Sequence, residues 1–152
     1  MLRLVLFSLI GLVVLIQFVP YGRDHTNPPV TAEPDWDSPR TRAIVVESCF
    51  DCHSNLSEWP WHTNVAPFSW LVQRDVDGGR STLNFTEWDR PQAEADEVFE
   101  VIAEGEMPPV SYRLIHPGAA LIDEERQDLL DGLRATFRTS PPIQGEGEPE
   151  DE

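Results

Sequence analysis

Cys49-Phe50-Asp51-Cys52-His53 places two thiols and an imidazole within five residues. On a helix, positions i, i+3 and i+4 share one face, so Cys49, Cys52 and His53 would be presented together. That pattern suits covalent attachment of a c-type haem, with thioethers from Cys49 and Cys52 to the vinyl groups and His53 on the iron. Zinc is the competing use of the same side chains, with His62 to complete a set. Adjacent Cys52 and His53 make an awkward chelate, however, and no second cysteine pair follows. A redox dithiol would want a βαβ context that the sequence lacks. The chain has only these 2 cysteines, so haem attachment would leave no thiol for a disulfide.

A second axial ligand must come from elsewhere. The chain contains no lysine, which leaves Met107, His25, His62 and His116. Met107 lies between Gly105, a helix-ending residue, and Pro108-Pro109, which bias it toward an extended backbone and hold the thioether with little entropy to lose. It reads as the iron ligand; His62 and His116 are the alternatives, and a methionine that merely fills a gap is the plainer one. His25 lies too near the amino-terminal apolar segment to serve. Arg80 and Trp61 are the candidate partners of haem propionates, through guanidinium and indole N–H groups, with Asn84 and Tyr112 behind them. For most of the 5 tryptophans, simple contact with the porphyrin edge or a turn is the more economical role.

Such a site has to be held outside the cytoplasm, and the amino terminus is built accordingly. Leu4 to Gly22 runs for 19 residues without a charge between Arg3 and Arg23. As a helix at ~1.5 Å per residue it would be about 28 Å long, near the ~30 Å hydrocarbon core. Residues 1–22 therefore read as a retained membrane anchor, amino terminus in the cytoplasm and the rest outside. The competing reading, a cleaved signal peptide, has to place cleavage at Val30-Thr31-Ala32, well past Pro20 and beyond Arg23 and Asp24.

Composition bounds what the anchor carries. Roughly 130 residues remain (152 less 22), enough for one small domain. With 27 acidic residues against 11 arginines the formal net charge is −16, which disfavours a role on nucleic acid or on anionic lipid surfaces. Residues 23–37, with Pro28, Pro29 and Pro34, read as an extended linker that lifts the domain off the membrane. Residues 38–140 form the haem domain. Ser38-Pro39 opens a helix to about Cys52, a short helix falls around Ser69 to Val76 within a tryptophan-rich loop, Asp89 caps a helix to Glu104 with Gly105 after it, and Asp123 opens a last helix whose stripe is Leu129, Leu130, Leu133 and Phe137. Residues 141–152 read as a disordered acidic tail. The fold class is all-α.

From about Glu47 to Phe137 the chain resembles the single-haem "haem-binding domain" proteins of bacteria, a c-type cytochrome group. The likeness is carried by Cys-Phe-Asp-Cys-His-Ser-Asn (49 to 55), Trp-Pro-Trp (59 to 61), Ala-Pro-Phe-Ser-Trp-Leu-Val (66 to 72), Gly-Arg (79 to 80), Leu-Asn-Phe-Thr-Glu-Trp (83 to 88), Gly-Glu-Met-Pro-Pro (105 to 109) and His-Pro-Gly-Ala (116 to 119). It departs at His62, where an aromatic residue is usual, and at Ser111 before Tyr112. The resemblance implies a cytochrome c-like helical fold, one covalent haem and an amino-terminal membrane segment. The expected protein is a membrane-anchored monohaem cytochrome of the bacterial inner membrane, its domain in the periplasm, carrying single electrons between extracytoplasmic redox proteins and catalysing nothing itself. The alternative is a sensor in which a gas displaces Met107.

Overall fold

The structure, a computed structural model, describes residues 1–144. Among the described residues there are seven α-helices: α1 (Leu2–Ile16), α2 (Pro39–Ser48), α3 (Phe50–His53), α4 (Phe68–Thr82), α5 (Val98–Ala103), α6 (Val110–Ile115) and α7 (Asp123–Thr139). The expected all-α character holds, with one small addition. Pro91–Gln92 (β1) pairs in parallel with Ile143–Gln144 (β2). The acidic residues 145–152 of the expected tail lie outside the described residues.

Helices α2 and α7 form the frame. Ser38 accepts the backbone N–H of Thr41 at 3.2 Å and Pro39 occupies the first turn, the N-terminal chemistry anticipated for α2. In α7 the Glu125 carboxylate accepts the Ile122 N–H at 3.2 Å, closing the first turn. The leucine stripe of α7 is buried as its spacing requires: Leu129, Leu130 and Leu133 join Ile44 and Val45 of α2 in the core. The two helices cross closely at Gly132, where a Cβ would stand 2.1 Å from the Thr41 hydroxyl oxygen. Phe85 and Trp88 continue this core, stacked at 5.9 Å with Phe50 on one side and Phe137 on the other.

Several expectations are corrected. The helix read from Pro39 to Cys52 is broken at Cys49, whose backbone (φ −127°, ψ −31°) closes α2 through a bond to the Val45 carbonyl and restarts the chain as α3. The break lets Phe50 enter the core while Cys49 and Cys52 stay partly exposed. Helix α4 covers 15 residues, well past the short helix expected. The helix expected from Asp89 begins only at Val98, because the buried Gln92 amide is committed to the Glu87 and Arg90 carbonyls and to the Asn84 N–H, which pins Pro91–Gln92 in β1. Helix α6 stands between Gly105 and Asp123, a stretch for which the sequence gives no helix expectation.

The amino-terminal segment differs most. Helix α1 spans 15 residues, and among the described residues no helix is long and apolar enough to cross a membrane. It ends at Ile16 because the Gln17 amide is drawn to the domain, donating to the Ala66 carbonyl at 2.9 Å and accepting the Ala66 N–H at 3.1 Å. Residues 23–37 are extended as expected, but they do not lift the domain away. They lie along it: Asn55 donates to the Pro29 carbonyl, Thr31 N–H to that of Thr86, and Trp88 N–H to that of Ala32. Trp36 packs on Phe85 at 5.5 Å, and its indole N–H donates to Glu33, which also takes two bonds from Arg42.

Candidate haem site

The helix bearing the cysteines is a single turn, so its orientation depends on what grips it. Helix α4 grips one side. A Cβ at Gly79 would stand 2.5 Å from the Cys52 carbonyl oxygen, so the two backbones meet where only glycine leaves room. The other side is held by α6, because Tyr112 donates its hydroxyl to the Asp51 carboxylate at 2.7 Å. The other Asp51 oxygen accepts the Glu58 N–H at 3.0 Å, fixing the chain just after the helix. Burial and this bond push the Tyr112 phenol well above its usual range. Tyr112 therefore stays a donor.

His53 ends α3 with its Nδ1 at 2.9 Å from the Leu83 carbonyl oxygen. A carbonyl only accepts, so Nδ1 carries the proton and Nε2 keeps the lone pair. Burial pushes the imidazole below its ordinary pKa, against the smaller opposing pull of the Leu83 and Gly79 carbonyls, and keeps it neutral. The Leu83 carbonyl is itself fixed by a network just beyond it in the chain. Asn84 donates to Asn55 at 2.9 Å, accepts from the N–H and hydroxyl of Thr86, and receives Gln92 on its own N–H. Phe85 N–H closes the loop onto the His53 carbonyl at 2.9 Å. Asn55, Asn84, Thr86 and Gln92 are all buried and all paired, a rigid polar seam under the histidine.

Both thiols are pushed up to about 12, Cys49 by burial and then by Cys52, and Cys52 by burial and then by Asp75 and Asp51. A redox dithiol needs the opposite, a thiol that ionises readily. Among the described residues no three Cys, His, Asp or Glu side chains converge as a metal site, and His62 meets Trp61 and Phe68 edge-on rather than the cysteines.

The remaining sequence candidates separate. Met107 follows Gly105, whose positive φ of 77° ends the α5 segment as expected, and is 37 % exposed. Arg80, the candidate propionate partner, is engaged by the protein itself. It donates to the Ser54 and Thr26 carbonyls and to the side chains of Asn27 and Ser57, all at 2.8–2.9 Å, clamping residues 26–27 onto the end of α3. Trp61 is 78 % exposed at the start of a short 3-10 turn, Trp61–Asn64. His116 stacks on Tyr112 at 4.2 Å. His25 stacks on Trp59 at 4.6 Å, and its ring lies 3.1 Å from the Thr63 carbonyl. Asp51 and Gln92, which hold the site from two sides, were not singled out from the sequence. The Asp within the Cys-to-Cys interval was a legible signal, and a lone glutamine was not.

These residues fit a haem: Cys49 at the cap and Cys52 within one helical turn, next to a neutral histidine whose Nε2 keeps its lone pair. Fold and site thus define a small helical domain of the haem-holding class. The chain belongs to the haem-binding domain family, whose family model matches residues 11–135. The match takes in residues 23–37, in agreement with their lying on the domain. No curated protein and no solved structure matches the chain significantly.

Proposed function

We propose that this protein is a membrane-anchored monohaem c-type cytochrome that passes single electrons between extracytoplasmic redox partners and has no catalytic activity of its own. The observation that carries the reading is the His53 ring, oriented by its Nδ1–H bond to the Leu83 carbonyl at 2.9 Å on the same turn as the chain's two cysteines. When bound, the haem supplies a one-electron couple at low reorganisation cost. The chain's part is to keep His53 neutral and pointed, to hold α3 between α4 and α6, and to offer Met107 from a short proline-flanked loop as the second ligand. The uncharged stretch Leu4 to Gly22 supports anchoring, with the domain in the periplasm of a bacterial cell.

The decisive experiment is attachment. Denatured protein should retain its haem, with a mass above the apoprotein by one porphyrin; haem extracted by acid-acetone overturns the covalent reading. Met107→Ala should abolish the far-red sulfur-to-iron band of the ferric protein and leave the haem attached, whereas His62→Ala should preserve the band. Carbon monoxide should leave the ferrous spectrum of the wild type unchanged, since a carrier keeps both axial positions filled; a shift would favour a gas sensor.

A further inference from the structure

Apart from Arg3 and Ser8, helix α1 is made of apolar residues and glycine, and none of its residues is buried by protein. At ~1.5 Å per residue its 15 residues span about 22 Å, short of the ~30 Å hydrocarbon core. The domain begins without a spacer where the helix stops. Gln17 is bonded to both backbone groups of Ala66, Arg23 donates to the Gln17 side chain at 3.0 Å, and a Cβ at Gly22 would stand 2.1 Å from the Ser69 carbonyl oxygen. Residues 65–69 therefore sit at the level of the helix end.

The surface at that level is unlike the rest of the molecule. Phe18 is 79 %, Val65 39 %, Phe68 56 % and Trp61 78 % exposed. The His62 ring links Phe68 at 6.5 Å to Trp61 at 5.9 Å, and the bonds of Gln17 to Ala66 bring the chain next to Phe18 to the chain next to Val65. In a chain of net charge −16, the 15 residues from Trp59 to Gln73 contain no Asp, Glu, Lys or Arg. An acid-free aromatic face beside the end of an unpartnered apolar helix is what the headgroup boundary of a bilayer accepts.

From this we infer that the domain is seated directly on the lipid surface, with Trp61, Val65, Phe68 and Phe18 sunk into the boundary between headgroups and acyl chains. This rests on the anchoring proposed above. The seat supplies apolar depth beside a helix shorter than the hydrocarbon core, adding to whatever local thinning of the bilayer the mismatch brings. It also fixes the domain's orientation, since α4 carries Phe68 at one end and packs on the Cys52 turn through Gly79 further along.

The test uses the full haem-loaded chain in phosphatidylcholine vesicles doped with phosphatidylcholine carrying a diazirine at the top of its acyl chain. After irradiation, lipid adducts are mapped by peptide mass spectrometry. Adducts are expected on α1 and on Trp61, Val65 and Phe68, several-fold above those on Val110 and Leu114 of α6, which are 63 % and 77 % exposed but belong to another face. Phe68→Ser should lower the yield on residues 59–73 several-fold while the yield on α1 holds. Adducts confined to α1 overturn the seat and leave the anchor standing, as does labelling of α6 equal to that of residues 59–73. Release of the protein by sodium carbonate, or no adduct anywhere, overturns the anchor and the seat with it.

Discussion

Four of the five N–H groups of Arg80 meet protein acceptors, on Ser54, Thr26, Asn27 and Ser57, and these acceptors come from two separate stretches of chain. Hydrogen bonds to a charged group contribute about 1.5–3 kcal/mol each way they are measured, so Arg80→Ala should cost roughly 2–3 kcal/mol in chemical unfolding. Arg80→Lys should recover little of this, because one ammonium cannot reproduce the planar fork. A second residue effect is pH-dependent. The Glu87 carboxylate accepts Asn55 at 2.8 Å, and this bond, with help from Arg90, holds it below its ordinary 4.5. A carboxyl lowered on folding stabilises above the unfolded value and loses that contribution as pH falls through the folded one. Thermal midpoints should therefore drop as pH is lowered below about 4.5, and Glu87→Gln should flatten that acid limb; an unchanged limb would place the acid sensitivity elsewhere, with Glu33 and its Arg42 partner the next to test. Nothing in the sequence pointed to this clamp at Arg80, since the carbonyls it meets only converge on it once the chain is folded.

At the scale of elements, two adjacent glycines of α4 make a controlled comparison. A Cβ at Gly78 meets nothing within 4 Å, while one at Gly79 meets the Cys52 carbonyl at 2.5 Å. Gly78→Ala should stabilise by about 0.5–1 kcal/mol through helix propensity. Gly79→Ala should destabilise by about 1–3 kcal/mol through overpacking and push α4 off the cysteine turn. Equal effects in denaturant melts would mean that the α3–α4 contact is not tight. The pair also shows what the sequence could disclose. Apolar spacing located α7 from its first residue, and Ser38-Pro39 located the start of α2, because those signals are local. Two glycines inside α4 lowered its apparent helicity, yet one of them is there for a neighbour 27 positions earlier in the chain. Residues 89–92 carried cap-like chemistry that was overridden by burial of Gln92, and the break at Cys49 followed from the core's demand for Phe50.

For the whole molecule, the cysteine turn and its histidine were readable at once because five consecutive residues contain the chemistry, whereas the supports of that turn are scattered over Asp51, Gly79, Leu83, Asn84, Gln92 and Tyr112. The apolar amino terminus was equally readable, but its docking on Ala66 and Ser69 was not, since a run of prolines reads as a spacer whether or not the backbone beside it finds partners. What composition does govern is the long-range field. The net charge of −16 with no lysine makes the surface field predominantly negative, so on the proposed electron-carrier reading a soluble redox partner is drawn in only if it presents a basic face. Electron-transfer rate constants with a cationic partner should fall steeply as ionic strength rises and the ~10 Å Debye length at 0.1 M contracts. An anionic partner should show the opposite slope. Stopped-flow measurement across a salt series with both partners separates the cases, and a rate with the cationic partner that rises with salt would show that recognition runs through apolar contact at the site instead of through the acidic surface.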